Sequence, residues 1–157
     1  MPTPNQPALH DAYAADYDAQ VIAYDCYLAE ALFGLCYAFI RPGERLLDVG
    51  IGSGLSAAPF ARAGLRVSGM DFAPAMLDLC RAKGIAEELR RHDLQDTPWP
   101  YDAASFDHVI CVGVCHFIGG LEAGLAEVGR VLRPGGLFAF TTKWPTAPLA
   151  PDVPSKV

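Results

Sequence analysis

Lysine is scarce: Lys83, Lys143 and Lys156 are the only three in 157 residues. Twelve Lys plus Arg stand against 18 Asp plus Glu, so the formal net charge is −6 and the isoelectric point lies near 5.0. No basic stripe is available to neutralise phosphates in number, which argues against nucleic acid as a partner. Apolar runs are broken by Gly, Arg or His well short of the roughly 20 residues that a membrane span needs, so no membrane partner is expected. The start, MPTPNQPALHD, has neither the basic nor the apolar region of a leader peptide. A soluble, cytoplasmic protein is the expectation. The cysteines, Cys26, Cys36, Cys80, Cys111 and Cys115, are odd in number and include no CxxC pair. They read as buried free thiols, and the CxxxC spacing of Cys111 and Cys115 lacks the further ligand pairs that a metal site needs.

What is present is a 52% hydrophobic chain long enough for one compact domain over 1–157. Prolines crowd both ends (Pro2, Pro4 and Pro7, then Pro145, Pro148, Pro151 and Pro154), marking extended segments and a tail at 144–157. Between about Leu9 and Ile40, Val21, Tyr24, Leu28, Ala31, Leu35 and Phe39 recur in steps of three and four. This stripe predicts one or two amphipathic helices, stopped by Arg41-Pro42-Gly43. Over about 44–143, strand-like runs (Leu46 to Val49, Arg66 to Met70, Phe106 to Val112, Leu137 to Thr141, and a weaker one from Ala86 to Arg91) alternate with helices. One helix begins near Leu55 with Pro59 in its first turn. Another starts at Pro74 and stops near Gly84, and a third runs from Leu121 to Val131, ending at Pro134-Gly135-Gly136. Such alternation implies right-handed crossovers and a doubly wound, Rossmann-like α/β fold of three layers with a mostly parallel sheet. Ligands of such sheets bind beyond the carboxyl ends of the strands.

The strongest local signal is LLDVGIGSGLS, residues 46–56, in which a strand passes through Asp48 into Gly50, Gly52 and Gly54 and then a helix. Glycines admit backbone N–H groups close to a ligand. A dinucleotide fingerprint would require glycine at 55, where Leu55 stands, and the pyrophosphate that this third glycine serves is then not called for. Asp71 falls 21 residues after Gly50, the distance at which a carboxylate meets ribose hydroxyls. Asp93 follows the next strand. Acids for a ribose and an exocyclic amine, in an acidic loop, describe a cationic adenosine ligand without phosphates.

In this order and at these spacings, LLDVGIGSG, VSGMDFAPAML, HDL, FDHVICVGVCHFI and LRPGGLFAFTT resemble the class I S-adenosylmethionine-dependent methyltransferases of the small-molecule "type 11" kind, over about residues 9–143. The resemblance implies S-adenosylmethionine as cofactor, with its methionine part over Gly50, Gly52 and Gly54 and Asp48 supporting the loop. It implies that Asp71 holds the ribose, that Phe72 and Met76 flank the adenine, and that Asp93 with the backbone of Leu94 reads the adenine edge. Val112 would offer its backbone to the methionine amine. Tyr13 and Tyr17, in YAADYD, match the aromatic positions of an N-terminal helical lid.

Methyl transfer from a sulfonium is an in-line displacement that needs aim and exclusion of water rather than a protein nucleophile. His116, just after the fourth strand, is either the general base for a protonated acceptor or a cofactor contact. The NPPY or DPPY sequence used by relatives that methylate amino groups of bases or glutamine does not follow that strand, which weakens nucleic acid and amide nitrogen as acceptors, and the resemblance implies a small-molecule acceptor. His10, His92 and His108 read as surface or strand-end residues, and Arg90-Arg91 as a solvated pair. The family's usual sheet has seven strands, whereas the run of strand signals here ends near Thr142, predicting a C-terminally shortened sheet of about five. Its fifth strand would present an open edge, for which three explanations compete: the chain is a truncated piece, the tail or the N-terminal helices cover the edge, or a second copy pairs there as a homodimer. The alternative to an enzyme is a non-catalytic cofactor-binding or interaction module.

Overall fold

The computed structural model describes residues 16–23, 26–115 and 121–142. Five strands, β1 (Arg45–Val49), β2 (Arg66–Asp71), β3 (Glu88–Arg91), β4 (Phe106–Cys111) and β5 (Leu132–Phe140), form one sheet in the order β3-β2-β1-β4-β5. Every pairing is parallel. The helices are α1 (Tyr17–Ala23), α2 (Leu28–Cys36) with a 3-10 turn at Tyr37–Phe39, α3 (Ala58–Arg62), α4 (Pro74–Lys83) and α5 (Glu122–Val131). The expected doubly wound α/β fold is the one found. Among the described residues no single helix is long and apolar enough to cross a membrane.

The central strands are apolar on both sides because helices cover both faces. In β1, Leu46, Leu47, Asp48 and Val49 are all buried. The alternation of strand side chains then divides the core in two. Leu46, Val67 and Ile110 join Leu32, Cys36, Phe60, Leu77 and Cys80 beneath α2, α3 and α4. Leu47, Val49, Met70 and Val109 join Trp99, Tyr101, Val128 and Val131 beneath α5. Helix α5 is also fastened by polar groups. Arg130 donates to the backbone oxygens of Tyr101 (2.8 Å) and Trp99 (3.0 Å) and to Glu127 (2.6 Å), whose carboxylate accepts the Trp99 amide at 2.6 Å.

Several local expectations give way to packing. On α2 the buried positions are Leu32, Cys36 and, beyond the helix, Ile40, while Leu28, Leu35 and Phe39 of the predicted stripe are exposed, as is Ala31. The segment LAEALFGLC is apolar around most of its circumference, so periodicity cannot choose the face that docks. Helix α3 starts at Ala58 rather than near Leu55, with Pro59 in its first turn as expected. Strand β5 begins at Leu132, directly after α5, instead of at Leu137. Leu132 pairs with Phe106, and an irregularity between Phe106 and His108 accommodates the Pro134-Gly135-Gly136 turn. His108 is no surface residue: it is 6% exposed and its Nε2 meets Glu44 at 2.8 Å, near the amino ends of the strands. Arg90 is not simply solvated, since its guanidinium lies 4.7 Å over the Tyr101 ring. Cys26 is exposed; the other four cysteines are buried and all are free.

Gly69, mid-strand in β2, connects this framework to the loop above it. A Cβ there would come within 2.4 Å of Ile51 Cδ1 and 2.9 Å of Ile51 Cβ. Gly69→Ala is therefore expected to cost about 1–3 kcal/mol and to lower the midpoint of thermal unfolding by several degrees. An unchanged midpoint in a melting experiment contradicts this seating of Ile51.

Candidate functional site

Strand order reverses between β1 and β4, and the loops at the carboxyl ends of β1, β2 and β4 meet there. The β1 loop is built onto β2: the amides of Gly50 and Ile51 both donate to the Met70 oxygen, at 2.9 and 3.1 Å, and Ile51 is 2% exposed. At Gly50 a Cβ would lie 2.5 Å from Val114 Cγ2, so the chain after β4 closes directly over this glycine. Gly52 differs. It has φ +53, a region that favours glycine, and among the described residues nothing lies within 4 Å of where its Cβ would stand. Its amide donates to Asp71 Oδ2 at 2.8 Å, while Asp71 Oδ1 accepts the Ala73 amide at 2.9 Å. Gly54 packs against Cys80 of α4 and against Ile85, just after that helix.

Asp48 lies beneath the loop, with no exposed surface. Its Oδ2 accepts the Ser56 hydroxyl at 2.6 Å, and its buried Oδ1 has no hydrogen-bond partner among the described residues. Burial pushes its carboxyl up to about 7; the bond from Ser56 opposes this and the charge of Asp71 adds to it. The site therefore carries closely spaced carboxylates, which favours a ligand of positive charge.

The structure brings together several residues singled out from sequence. Tyr17, Phe72 and Met76 pack in one cluster around Ala73, beside the glycine loop. Burial raises the Tyr17 hydroxyl above its usual value, and among the further causes are the charges of Asp71 and Asp48, which places its phenol within their field. Asp93, beyond β3, is exposed and accepts the Gln95 amide at 2.9 Å. Leu94 packs against the core under α5, and its oxygen accepts the Trp99 indole at 2.9 Å. Val112 follows β4 and precedes Gly113, whose amide donates to Thr141 Oγ1 at 2.8 Å. Tyr13, His10 and His116 lie outside the described residues. Among those described, no group of three His, Cys, Asp or Glu side chains could hold a metal ion.

Other contributors were not visible in the sequence. Asp18 of α1 accepts the Ser53 hydroxyl at 2.5 Å and pairs with Lys83, which also donates to the Ser53 oxygen at 2.9 Å. This clasp holds α1 against the glycine loop, yet its members stand 35 and 65 residues apart. Ser56 carried a weak signal, a hydroxyl two residues beyond the last glycine, and Val114 carried none.

The burial of Asp48 has a signed consequence for stability. Its pKa in the folded chain, about 7, lies above the ordinary 3.8, so its favourable contribution is complete below pH 3.8 and is lost as pH rises through 7. Asp48→Asn, neutral and isosteric, is expected to unfold about 3 °C or more above the parent at pH 8, with the difference vanishing near pH 4. A difference independent of pH, in parallel melts across that range, contradicts the buried-carboxyl account.

Residues 47–140 match the family described as "Methyltransferase domain". The chain is 37% identical over 143 residues to a malonyl-[acyl-carrier protein] O-methyltransferase of Serratia marcescens, covering 89% of this chain and 54% of that one. It is 37% identical over 107 residues to a fatty-acid O-methyltransferase of Mycolicibacterium smegmatis, covering 66% and 38%. It thus spans about half the length, or less, of these curated relatives. A solved structure of a DhpI–SAH complex superposes with a TM-score of 0.73 at 23% identity, over 88% of this chain and 68% of that one, a likeness of fold. With strand order, glycine loop and matched span in agreement, the chain belongs to the class I, type 11 methyltransferase domain family.

Proposed function

We propose that the chain binds S-adenosylmethionine across the glycine loop and Asp71, and that it transfers the methyl group to a small-molecule acceptor. The observation that carries this reading is the pairing of an open cradle with buried acid: among the described residues, clear space above Gly52, bordered by Asp71, with the unpartnered Oδ1 of Asp48 beneath. An adenosyl sulfonium fits this donor and acceptor set, because it brings ribose hydroxyls to a carboxylate and positive charge to an acidic pocket.

In this reading Asp71 accepts the ribose hydroxyls, exchanging or sharing the bonds it makes to Gly52 and Ala73. Tyr17, Phe72 and Met76 give the adenine apolar walls, Asp93 and the Leu94 backbone receive its edge, and the Val112 backbone meets the methionine amine. Tyr13 and the clasped helix α1 exclude water from above. The cofactor supplies an electrophilic methyl group when bound. His116, immediately after the described end of the β4 segment, takes the acceptor's proton where there is one. The similarity to a malonyl-[acyl-carrier protein] O-methyltransferase and a fatty-acid O-methyltransferase supports a small acceptor molecule or a carrier-borne one. A homodimer through β5, at the edge of the sheet, belongs to the same proposal.

Calorimetric titration tests the reading. S-adenosylmethionine and S-adenosylhomocysteine are expected to bind in the micromolar range and NADH not at all, and Asp71→Ala, folded by its melting curve, to weaken both ligands by about thirty-fold or more. Tight NADH binding, or undiminished affinity in the folded variant, overturns the reading. Turnover of carboxylate, phenol and thiol acceptors then separates an enzyme from a module that only binds.

A further inference from the structure

Cys111 ends β4 and Cys115 lies four residues on, with their Sγ atoms 3.5 Å apart and both residues buried. The proposed reaction uses neither thiol. Both line an apolar cavity of about 70 Å³ between the sheet and α5, beside Trp99, Leu125 and Phe138. A space of that size holds more than one water-sized molecule, and hydrogen peroxide is small enough to enter it. The other cysteines are not so placed: Cys36 and Cys80 belong to the core on the opposite face, and Cys26 is exposed.

We propose that Cys111 and Cys115 form an oxidisable dithiol, which peroxide converts to an intramolecular disulfide that draws the segment after β4 away from the glycine loop and weakens binding of the adenosyl ligand. The second half rests on the cofactor reading above. The chemistry balances. One thiolate attacks a peroxide oxygen and becomes a sulfenic acid as the O–O bond breaks and water leaves. The second thiol attacks that sulfur, the S–S bond forms and a second water departs. Two thiols and one peroxide give one disulfide and two waters, and a thiol reductant reverses the change by exchange. Cys115 is the first to ionise: a bond from the Cys111 thiol stabilises its thiolate, while that bond and burial hold Cys111 protonated.

The route to the cofactor site is geometric. A disulfide has S–S near 2.05 Å, so the sulfurs must close by about 1.5 Å. Cys111 is held in the sheet, paired with Phe140 and accepting the Thr141 amide at 3.0 Å, so the movement falls on residues 112–115. Gly113, at φ +73, is the joint in that segment, and its bond to Thr141 Oγ1 is what the closure strains. Val114, the side chain over Gly50, moves with it. Val112, offered above to the methionine amine, lies in the same stretch.

The test uses the full chain carrying C26S, which removes the exposed thiol and its intermolecular products. After peroxide and alkylation of the remaining thiols, the tryptic peptide containing both cysteines is expected unalkylated and lighter by two hydrogens. Calorimetry with S-adenosylhomocysteine is expected to show affinity lowered by about ten-fold or more, restored by dithiothreitol, with C111S and C115S in the same background insensitive to peroxide. Cys111 and Cys115 both alkylated in that peptide after peroxide, or the disulfide with affinity unchanged, overturns the proposal. A reduced protein without affinity for S-adenosylhomocysteine overturns the cofactor reading and with it the ligand half, while the peptide mass still decides whether the disulfide forms.

Discussion

The site depends on the seating of Ile51 against Gly69. Because β2 presents no side chain at that point, Ile51 sinks to the sheet surface and the amides of Gly50 and Ile51 both reach the Met70 oxygen. The chain must then climb away steeply, and the turn at Gly52 carries its N–H to the carboxylate that ends β2. One missing methyl group in a strand thus fixes the path of a loop, and the loop fixes where a ligand's polar groups would meet Asp71. The same economy of side chains explains why Val114 closes over Gly50: there is no Cβ to hold it off.

The arrangement carries an electrostatic cost that bears on function. A fully buried carboxyl with one oxygen unpartnered among the described residues, in the field of the Asp71 carboxylate, disfavours its own ionised form. A cation brought above the loop relieves that cost, so in the proposed function part of the affinity for a sulfonium arises from strain already present in the ligand-free protein. Helix α1 contributes in the same sense, since the clasp of Asp18, Ser53 and Lys83 ties the N-terminal segment to the loop and keeps Tyr17 beside Phe72 and Met76.

Much of this was legible in the sequence, for reasons that can be named. Strands buried on both faces read as unbroken apolar runs, glycine and proline mark their ends, and the spacing from Gly50 to Asp71 is set by one helix and one strand. Those signals are local or depend on length alone. The docking face of α2 was not legible, because a helix apolar on most sides is oriented by its partners, Phe60 and the sheet among them. The burial of His108 and the role of Arg130 depend on contacts more than 25 residues away in sequence, with Glu44 and with Trp99 and Tyr101 respectively. Ser56 and Lys83 became part of the site only once the loop and α1 were placed in space.

The most direct test of the central claim is a crystal structure of the complex with S-adenosylhomocysteine. The account predicts the ribose hydroxyls within hydrogen-bond distance of the Asp71 carboxylate, the ligand passing over Gly52, and the adenine lying against Phe72 and Met76. A ligand bound elsewhere, such as in the apolar cavity under α5, with no ribose hydroxyl at the Asp71 carboxylate, would contradict the account.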